Sequence, residues 1–448
     1  MANPGNFALL TDLYQLTMAQ SYFREQRMGE ATFSLFIRSY PAHRGYFVAA
    51  GLEDVLEYLR TLSFDADALD YLAMQKLFGE DFLHYLGDLK FTGHVWGIPE
   101  GRIFFKDEPV LEVTAPIIEA QLIETFVINQ IHLQVLIASK AARCVHAAGG
   151  RPLVDFALRR SHGTDAGMKV ARASYLAGFA GTSNVRAGQQ YQLPLVGTMA
   201  HSFIMSFERE IDAFRAYVSS FPHSSILLID TYDTRAGAHN AVRVAKEMAD
   251  RGERLIGVRI DSGDLAEQAR AVRRILDLAN LREVKIIGSG GLDEHDLSEF
   301  SAANVPFDSY GVGTKMGVSA DAPWTDISYK LVEYDHRPAL KLSTGKASCP
   351  GRKQVFRLRD GQGQFSRDVI GLREETLGSE TLLKEHMRDG RLLEPHPSLM
   401  ECREAFAEDF AALPNQFKST VNPWQFPVDL SLRLRTLRDY TARSAQSR

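Results

Sequence analysis

His201 stands alone. It follows the apolar run Leu193 to Val196 and the break Gly197-Thr198, with Ser202 beside it and no second histidine, cysteine or carboxylate close by in sequence. That spacing is not one from which a metal site is built. Taken singly, such an imidazole reads as a core histidine with its hydrogen bonds satisfied, so its neighbours must decide. Arg259 and Asp261 flank Ile260 at the close of an apolar run, and the two-residue repeat of a strand points both side chains the same way. They form either a plain ion pair or a site in which the guanidinium takes an anionic or ring-bound group and the carboxylate accepts bonds from sugar hydroxyls. Arg159 and Arg160 add positive charge at another such end. Gly288, Gly290 and Gly291 precede a helix expected from about Asp293, and Gly311 and Gly313 precede Thr314. Glycines that turn backbone N–H groups inward at a helix start suit phosphate.

These residues need a scaffold that brings scattered strand ends to one rim. From Arg151 to about Lys330 short apolar runs alternate with helices, and strands are expected in PLVDF, TSNV, LPLVG, SSILLID, RLIGVRI, EVKIIG and DSYGVG. Helices are expected in DAGMKVARASYLAGF, RAGAHNAVRVAKEMADRG and DLAEQARAVRRILDLAN. This alternation predicts a parallel sheet with covered faces, in the form of an irregular or incomplete (β/α) barrel. Function in such a barrel collects at the C-terminal strand ends. Here those ends read DFALRRSHGTDAG, GTMAHS, DTYDT, RIDSGD, GSGGLDE and GVGTKMG. The two glycine loops fall at the last two strands, where barrels of this class frequently hold a phosphate. Arg172, Arg186 and Arg215 are expected to be solvated surface charges.

The flanking segments have a different rhythm. The chain opens on a helix with Leu13, Leu16, Ala19 and Phe23 at helical spacing and Asp12 with Gln15 as a capping pair. Phe91 to Pro116 alternates like a small antiparallel unit, and a long helix is expected from about Glu119 to Ala147. Beyond Lys330, LVEYDHRPALKLS and RKQVFRLRDGQGQFSRDVIGL each read as two strands about a turn. The expected organisation is residues 1–147 as an α+β segment with a connecting helix, 148–330 as the barrel, and 331–448 packing back on the first segment.

The totals exclude whole classes. With 448 residues, 45% apolar and 24% charged, the chain holds a substantial core and is not disordered. A formal charge of -5 argues against a general nucleic-acid or membrane-surface binder. Cys144, Cys349 and Cys402 form no CxxC pair and no even-numbered framework, which fits a reducing compartment and no structural zinc. MANPGNFALLTDLYQL lacks the pattern of a signal peptide, and Ala120 to Ala142 is interrupted by Glu124, Asn129, Gln130, His132 and Gln134. A cytoplasmic enzyme is expected.

Together TDLYQLTMAQSYF, IPEGRIFFKDEPVLEVTAP, FALRRSHGTDAG, FAGTSNVRAG, GTMAHSF, DTYDT, GVRIDSGDL, GSGGLDE, YGVGTKMG and PGRKQVFR resemble, in order from about Thr11 to Arg357, the nicotinate phosphoribosyltransferase family. The resemblance implies transfer of phosphoribosyl from phosphoribosyl pyrophosphate to nicotinate, giving nicotinate mononucleotide and pyrophosphate in NAD salvage. It implies coupling to ATP hydrolysis with Mg2+, formally a ligase. It makes His201 a phosphohistidine, which explains its isolation: the imidazole carries a phosphoryl group instead of binding metal. It puts the 5-phosphate on Gly290-Gly291 and Gly313-Thr314, ribose hydroxyls on Asp261, and the pyridine ring between Phe156 and Tyr14. Arg259 and Arg159 would lie near the carboxylate and phosphates, and Thr198 would touch nicotinate or orient the histidine loop. Magnesium-bound pyrophosphate would meet Asp230 or Asp233. Tyr14 would reach a neighbouring subunit's site, implying a homodimer.

Rivals remain at this point. A nicotinamide-specific relative would carry an aspartate near Thr182-Ser183, where this chain has Ser183. A quinolinate-specific one would not need His201. A phosphosugar lyase would place a Schiff-base lysine at a strand end, whereas Lys285 starts a strand and Lys315 lies in a glycine loop.

Overall fold

The computed structural model describes residues 7–342, 348–378 and 380–446. The chain divides into two compact units, 137–323 and 1–136 with 324–448, where the sequence places its boundaries after residues 147 and 330.

Unit 137–323 is built on a six-stranded parallel sheet. Its strands Gly181–Thr182, Leu153–Asp155, Ser309–Val312, Lys285–Gly288, Gly257–Ile260 and Ile226–Leu228 lie side by side in that order. Among the described residues the two edge strands do not pair, so the barrel is incomplete, as expected. The strands are short apolar runs because helices cover them: Leu227, Val258, Ile286 and Tyr310 are fully buried. Three helices begin on side-chain caps at the functional rim. Asp233 accepts from Ala236 N–H at 2.7 Å, Asp264 from Glu267 N–H at 3.0 Å, and Asp293 forms a capping box with Asp296.

Two strand readings are corrected. TSNV contributes only Thr182, which with the preceding glycine makes the strand Gly181–Thr182, after which Asn184 accepts from Ala187 N–H and starts the helix Val185–Tyr191. LPLVG is not a strand but makes a single bridge, Leu195 to Thr182. Pro194 has no N–H to extend the ladder, and Leu195 is 54% exposed on the far side. Arg172 is also corrected, from surface charge to buried residue, whereas Arg215 does lie outside, paired with Glu247.

The other unit joins both ends of the chain in one antiparallel-rich sheet. Glu30–Ile37 pairs on one side with Pro109–Pro116 and on the other with Ile327–Tyr334. This is the discontinuous α+β domain expected. The hairpin Lys353–Arg359 with Phe365–Leu372 is found where it was read, and the return strand of LVEYDHRPALKLS is only Arg337–Pro338. Ser343, at the end of that reading, lies outside the described residues. The long helix is two, Ile117–Leu122 and Glu124–Ala147. The Asp12–Gln15 capping pair is absent. Asp12 instead accepts from Thr125 Oγ1 at 2.7 Å, and the Gln15 amide donates to Glu124 at 2.9 Å.

Arg357 holds this unit's charged centre. Its guanidinium reaches Asp368 Oδ2 at 2.7 Å and Asp409 Oδ2 at 3.3 Å, lies over the Phe365 ring at 4.1 Å, and is fully buried with Asp368. Burial, with Asp368 alongside, pushes the Glu108 carboxyl well up. Arg357→Ala would leave the buried Asp368 without its guanidinium, while Asp409 would keep Arg102, whose Nε lies 2.8 Å away. The substitution is expected to cost about 3–5 kcal/mol in urea unfolding, and a loss below about 1 kcal/mol would contradict this account.

Candidate active site

The turn after Leu153–Asp155 is shaped by Asp155. Its buried carboxylate accepts from Ala157 N–H at 2.8 Å and Thr182 Oγ1 at 2.7 Å, while burial raises its proton affinity. The turn delivers Phe156 and Arg159 to the rim. Glycine at 311 makes room for the ring, because a Cβ there would stand 2.4 Å from Phe156 Cε2.

Arg259 and Asp261 leave the end of Gly257–Ile260 on one side, as the two-residue repeat requires. They do not form a mutual ion pair among the described contacts. Arg259 Nη1 donates to Thr198 Oγ1 at 2.5 Å and Nη2 to Met199 O at 3.1 Å, so the guanidinium props the loop that leads to His201. Its Cζ lies 5.9 Å from the Phe156 ring centre, and Nε is buried without a hydrogen-bond partner among the described residues. Burial lowers the Arg259 pKa, against the pull of Asp261 and Asp230. Asp261 is held from two sides. Its Oδ1 accepts from Ser289 Oγ at 2.5 Å, and its N–H donates to Asp230 Oδ2 at 2.9 Å.

His201 opens the short helix His201–Met205. Nδ1 lies 3.1 Å from Thr231 Oγ1, and Nε2 lies 3.9 Å from Asp261 Oδ2. The imidazole is 38% exposed, so it is not the packed core residue of the bland reading.

These groups share one cavity of about 390 Å³, lined by Phe156, Leu158, Arg159, Ser183, Gly197, Thr198, Met199, Ala200, His201, Arg259 and Asp261. Six expected site residues therefore meet: His201, Asp261, Arg259, Phe156, Arg159 and Thr198. Gly290, Gly291, Gly313 and Thr314 are not among the lining residues, but two of them back onto residues that are. A Cβ on Gly290 would fall 2.1 Å from Asp261 O, and one on Gly313 would fall 2.8 Å from Phe156 O. Lys315 Nζ joins the two glycine loops, reaching Asp293 Oδ2 at 2.9 Å and Asp296 Oδ2 at 3.2 Å. Burial opposes ionisation of Asp293, yet Lys315 and two backbone N–H groups hold its pKa low. Tyr14, 49% exposed on the helix Leu13–Arg24, belongs to the other unit and is not a lining residue.

Of the two aspartates left open for metal-bound pyrophosphate, Asp233 is engaged as a helix cap. Asp230 Oδ2 accepts from Asp261 N–H and Ser262 Oγ, while Oδ1 is buried without a hydrogen-bond partner among the described residues. Thr231 and Ser289 were missed as site residues. Both lie inside strand-end stretches already singled out, and residue type alone does not tell which hydroxyl in such a stretch turns toward the histidine or the aspartate.

The arrangement offers an exposed imidazole, two guanidinium groups, an anchored carboxylate and an aromatic face around a space the size of a flat ring with a sugar. That set suits transfer at a phosphorylated sugar. Comparison with known proteins agrees. Family models described as the nicotinate phosphoribosyltransferase (NAPRTase) N-terminal domain, the NAPRTase family and the nicotinate phosphoribosyltransferase C-terminal domain match residues 9–132, 152–344 and 376–438. The chain is 48% identical to nicotinate phosphoribosyltransferase pncB2 of Mycobacterium tuberculosis, over 95% of this chain and 92% of that one. It is 37% identical to nicotinate phosphoribosyltransferase of Bacillus subtilis, over 95% and 93%. Among solved structures, the crystal structure of human nicotinic acid phosphoribosyltransferase superposes with a TM-score of 0.87 at 30% identity, covering 96% of this chain and 99% of that one. No helix among the described residues is long and apolar enough to cross a membrane.

Proposed function

Because the chain belongs to the nicotinate phosphoribosyltransferase family, we propose that it transfers phosphoribosyl from phosphoribosyl pyrophosphate to nicotinate, forming nicotinate mononucleotide and pyrophosphate. The observation that carries this reading is the single cavity shared by Phe156, Arg159, Arg259, Asp261 and His201. The pyridine ring lies against Phe156, with Tyr14 of a second subunit on its other face, and Arg159 and Arg259 attract its carboxylate and the phosphates. Asp261, whose carboxylate already accepts from Ser289 Oγ and whose N–H donates to Asp230 Oδ2, accepts from the ribose hydroxyls. The ring nitrogen attacks C1 of the ribose as the bond to pyrophosphate breaks, and the donors around the site take up the negative charge of the leaving group.

Asp230 and Asp261 are the oxygen donors that would hold Mg2+. The buried Oδ1 of Asp230, without a hydrogen-bond partner among the described residues, fits a hard cation. When bound, magnesium neutralises charge on the departing pyrophosphate. ATP acts through His201. With the Nδ1 proton directed at Thr231 Oγ1, the lone pair of Nε2 attacks the γ-phosphorus, the bond to the bridging oxygen breaks, and ADP leaves. Hydrolysis of the phosphohistidine later restores the imidazole.

Ser183 lines the cavity as a neutral residue, with cations nearby, which favours the acid over the amide. Mononucleotide synthesis from nicotinate is expected to exceed that from nicotinamide by at least about tenfold in kcat/KM. Equal turnover of both rings would remove the acid-specific reading.

A further inference from the structure

Behind the cavity wall, Thr182 is fully buried and is not a lining residue, yet three lining segments are tied to it. Its Oγ1 donates to Asp155 Oδ2 at 2.7 Å, and Asp155 Oδ1 accepts from Ala157 N–H at 2.8 Å. The turn that carries Phe156 therefore hangs on this hydroxyl. The same Oγ1 accepts from Asn184 N–H at 3.0 Å, one residue beyond Ser183. Ser183 N–H itself donates to Asp155 O at 2.9 Å, so Ser183 is held from both sides. The backbone of Thr182 holds the third segment. Its N–H donates to Pro194 O at 3.0 Å and its carbonyl accepts from Val196 N–H at 3.0 Å, immediately before Gly197 and Thr198.

A hydroxyl has one proton to donate and lone pairs with which to accept, and at Thr182 both capacities are used. Asp155 and Asn184 are each 1% exposed, so solvent does not stand in for either bond. Valine has the shape of threonine without the hydroxyl. It would leave the Asp155 carboxylate and the Asn184 N–H short of a partner in a dry place, and the backbone on either side must shift to relieve them. That shift moves Phe156 relative to Ser183. The acceptor expected for ribose is fixed by other bonds: Asp261 is set by Ser289 and Asp230, and Gly290 packs on Asp261 O. Two separate sets of hydrogen bonds thus hold the two sides of the cavity.

We propose that Thr182 is a positioning residue for the ring substrate. Through Asp155 and Asn184 it sets the spacing of Phe156 and Ser183, and so governs the affinity for nicotinate and not that for phosphoribosyl pyrophosphate. This rests on the reading of the cavity as the nicotinate phosphoribosyltransferase site.

The test is steady-state kinetics on the full chain, each substrate varied with the other saturating. Thr182→Val is expected to raise KM for nicotinate about tenfold or more, with kcat and KM for phosphoribosyl pyrophosphate within about threefold of the unaltered values. Thr182→Ser keeps the hydroxyl and is expected to bring KM for nicotinate back to within about twofold. Circular dichroism and the urea midpoint check that each variant is folded under assay conditions. If Thr182→Val does not fold, Asp155→Asn takes its place. Its amide keeps an acceptor for Ala157 N–H but turns an N–H toward Thr182 Oγ1, and the same selective rise is expected. Equal rises in both KM values, or a serine variant as impaired as the valine one, would make Thr182 a general support and overturn the proposal. An unaltered protein that uses nicotinate, with KM unmoved in Thr182→Val, overturns the proposal alone. An unaltered protein that forms no mononucleotide from nicotinate overturns the reading of the site, and the proposal with it.

Discussion

His201→Ala is expected to abolish labelling of the protein by ATP carrying a radioactive γ-phosphate and to reduce ATP-stimulated mononucleotide synthesis at least about a hundredfold. The expectation rests on the neighbours of the ring. Thr231 lies 3.1 Å from Nδ1, and Nε2 faces Asp261 across the cavity at 3.9 Å, so the nitrogen proposed to take the phosphoryl group is the one toward the cavity. Synthesis without ATP should survive at a low rate, because Arg259, Asp261 and the glycine loops are untouched. The fold should tolerate the change, since the imidazole is partly exposed and alanine suits a helix start that has no side-chain cap. Acid-labile label persisting at the unaltered level in the variant would remove His201 as the carrier. Loss of ATP-independent synthesis to the same degree as the ATP-driven reaction would instead make the imidazole part of the transfer step itself.

The parallel sheet was readable because strands covered on both faces are mostly apolar, and ILL, GVRI, KIIG and SYGV are found as its strands, with Arg259, Lys285, Ser309 and Tyr310 their only charged or hydroxyl residues. The same signal misled at LPLVG. Pro194, visible within the run, already argued against an interior strand, whereas only long-range packing shows Leu195 turned outward. The meeting of His201, Arg259, Asp261 and Phe156 was legible from one rule, that strand ends of such a sheet share a rim. What the rule does not supply is rotamer detail. The pair Arg259–Asp261 could have been bonded to itself; instead the guanidinium turns to Thr198 and Met199, and the carboxylate turns to Ser289. Contacts between residues far apart in sequence were the least legible. Arg143 with Glu294, 151 positions apart, and Arg357 with Asp409, 52 apart, leave no local pattern. Arg172 was misread for the same reason, since a charged residue on a helix defaults to solvent unless the packing is known.

Gly290→Ala is expected to lower kcat/KM for phosphoribosyl pyrophosphate about a hundredfold, and Gly291→Ala considerably less. Both glycines have positive φ, 104° and 72°, so either alanine carries a backbone penalty of about 1–3 kcal/mol. They differ in what the new Cβ meets. At 290 it would fall 2.1 Å from Asp261 O, a backbone atom that cannot swing aside as a side chain would, whereas at 291 nothing lies within 4 Å. Relief of the clash must therefore shift Asp261, whose N–H bond to Asp230 and carboxylate bond to Ser289 fix the group proposed to accept from the ribose. The loss should fall on phosphoribosyl pyrophosphate more than on ATP, and urea unfolding of the two variants separates backbone strain from site displacement. Similar stability with a much larger kinetic loss in Gly290→Ala would tie the loop to Asp261. Equal kinetic losses in both variants would mean that positive φ alone, and not the approach to Asp261, is what the glycine loop requires.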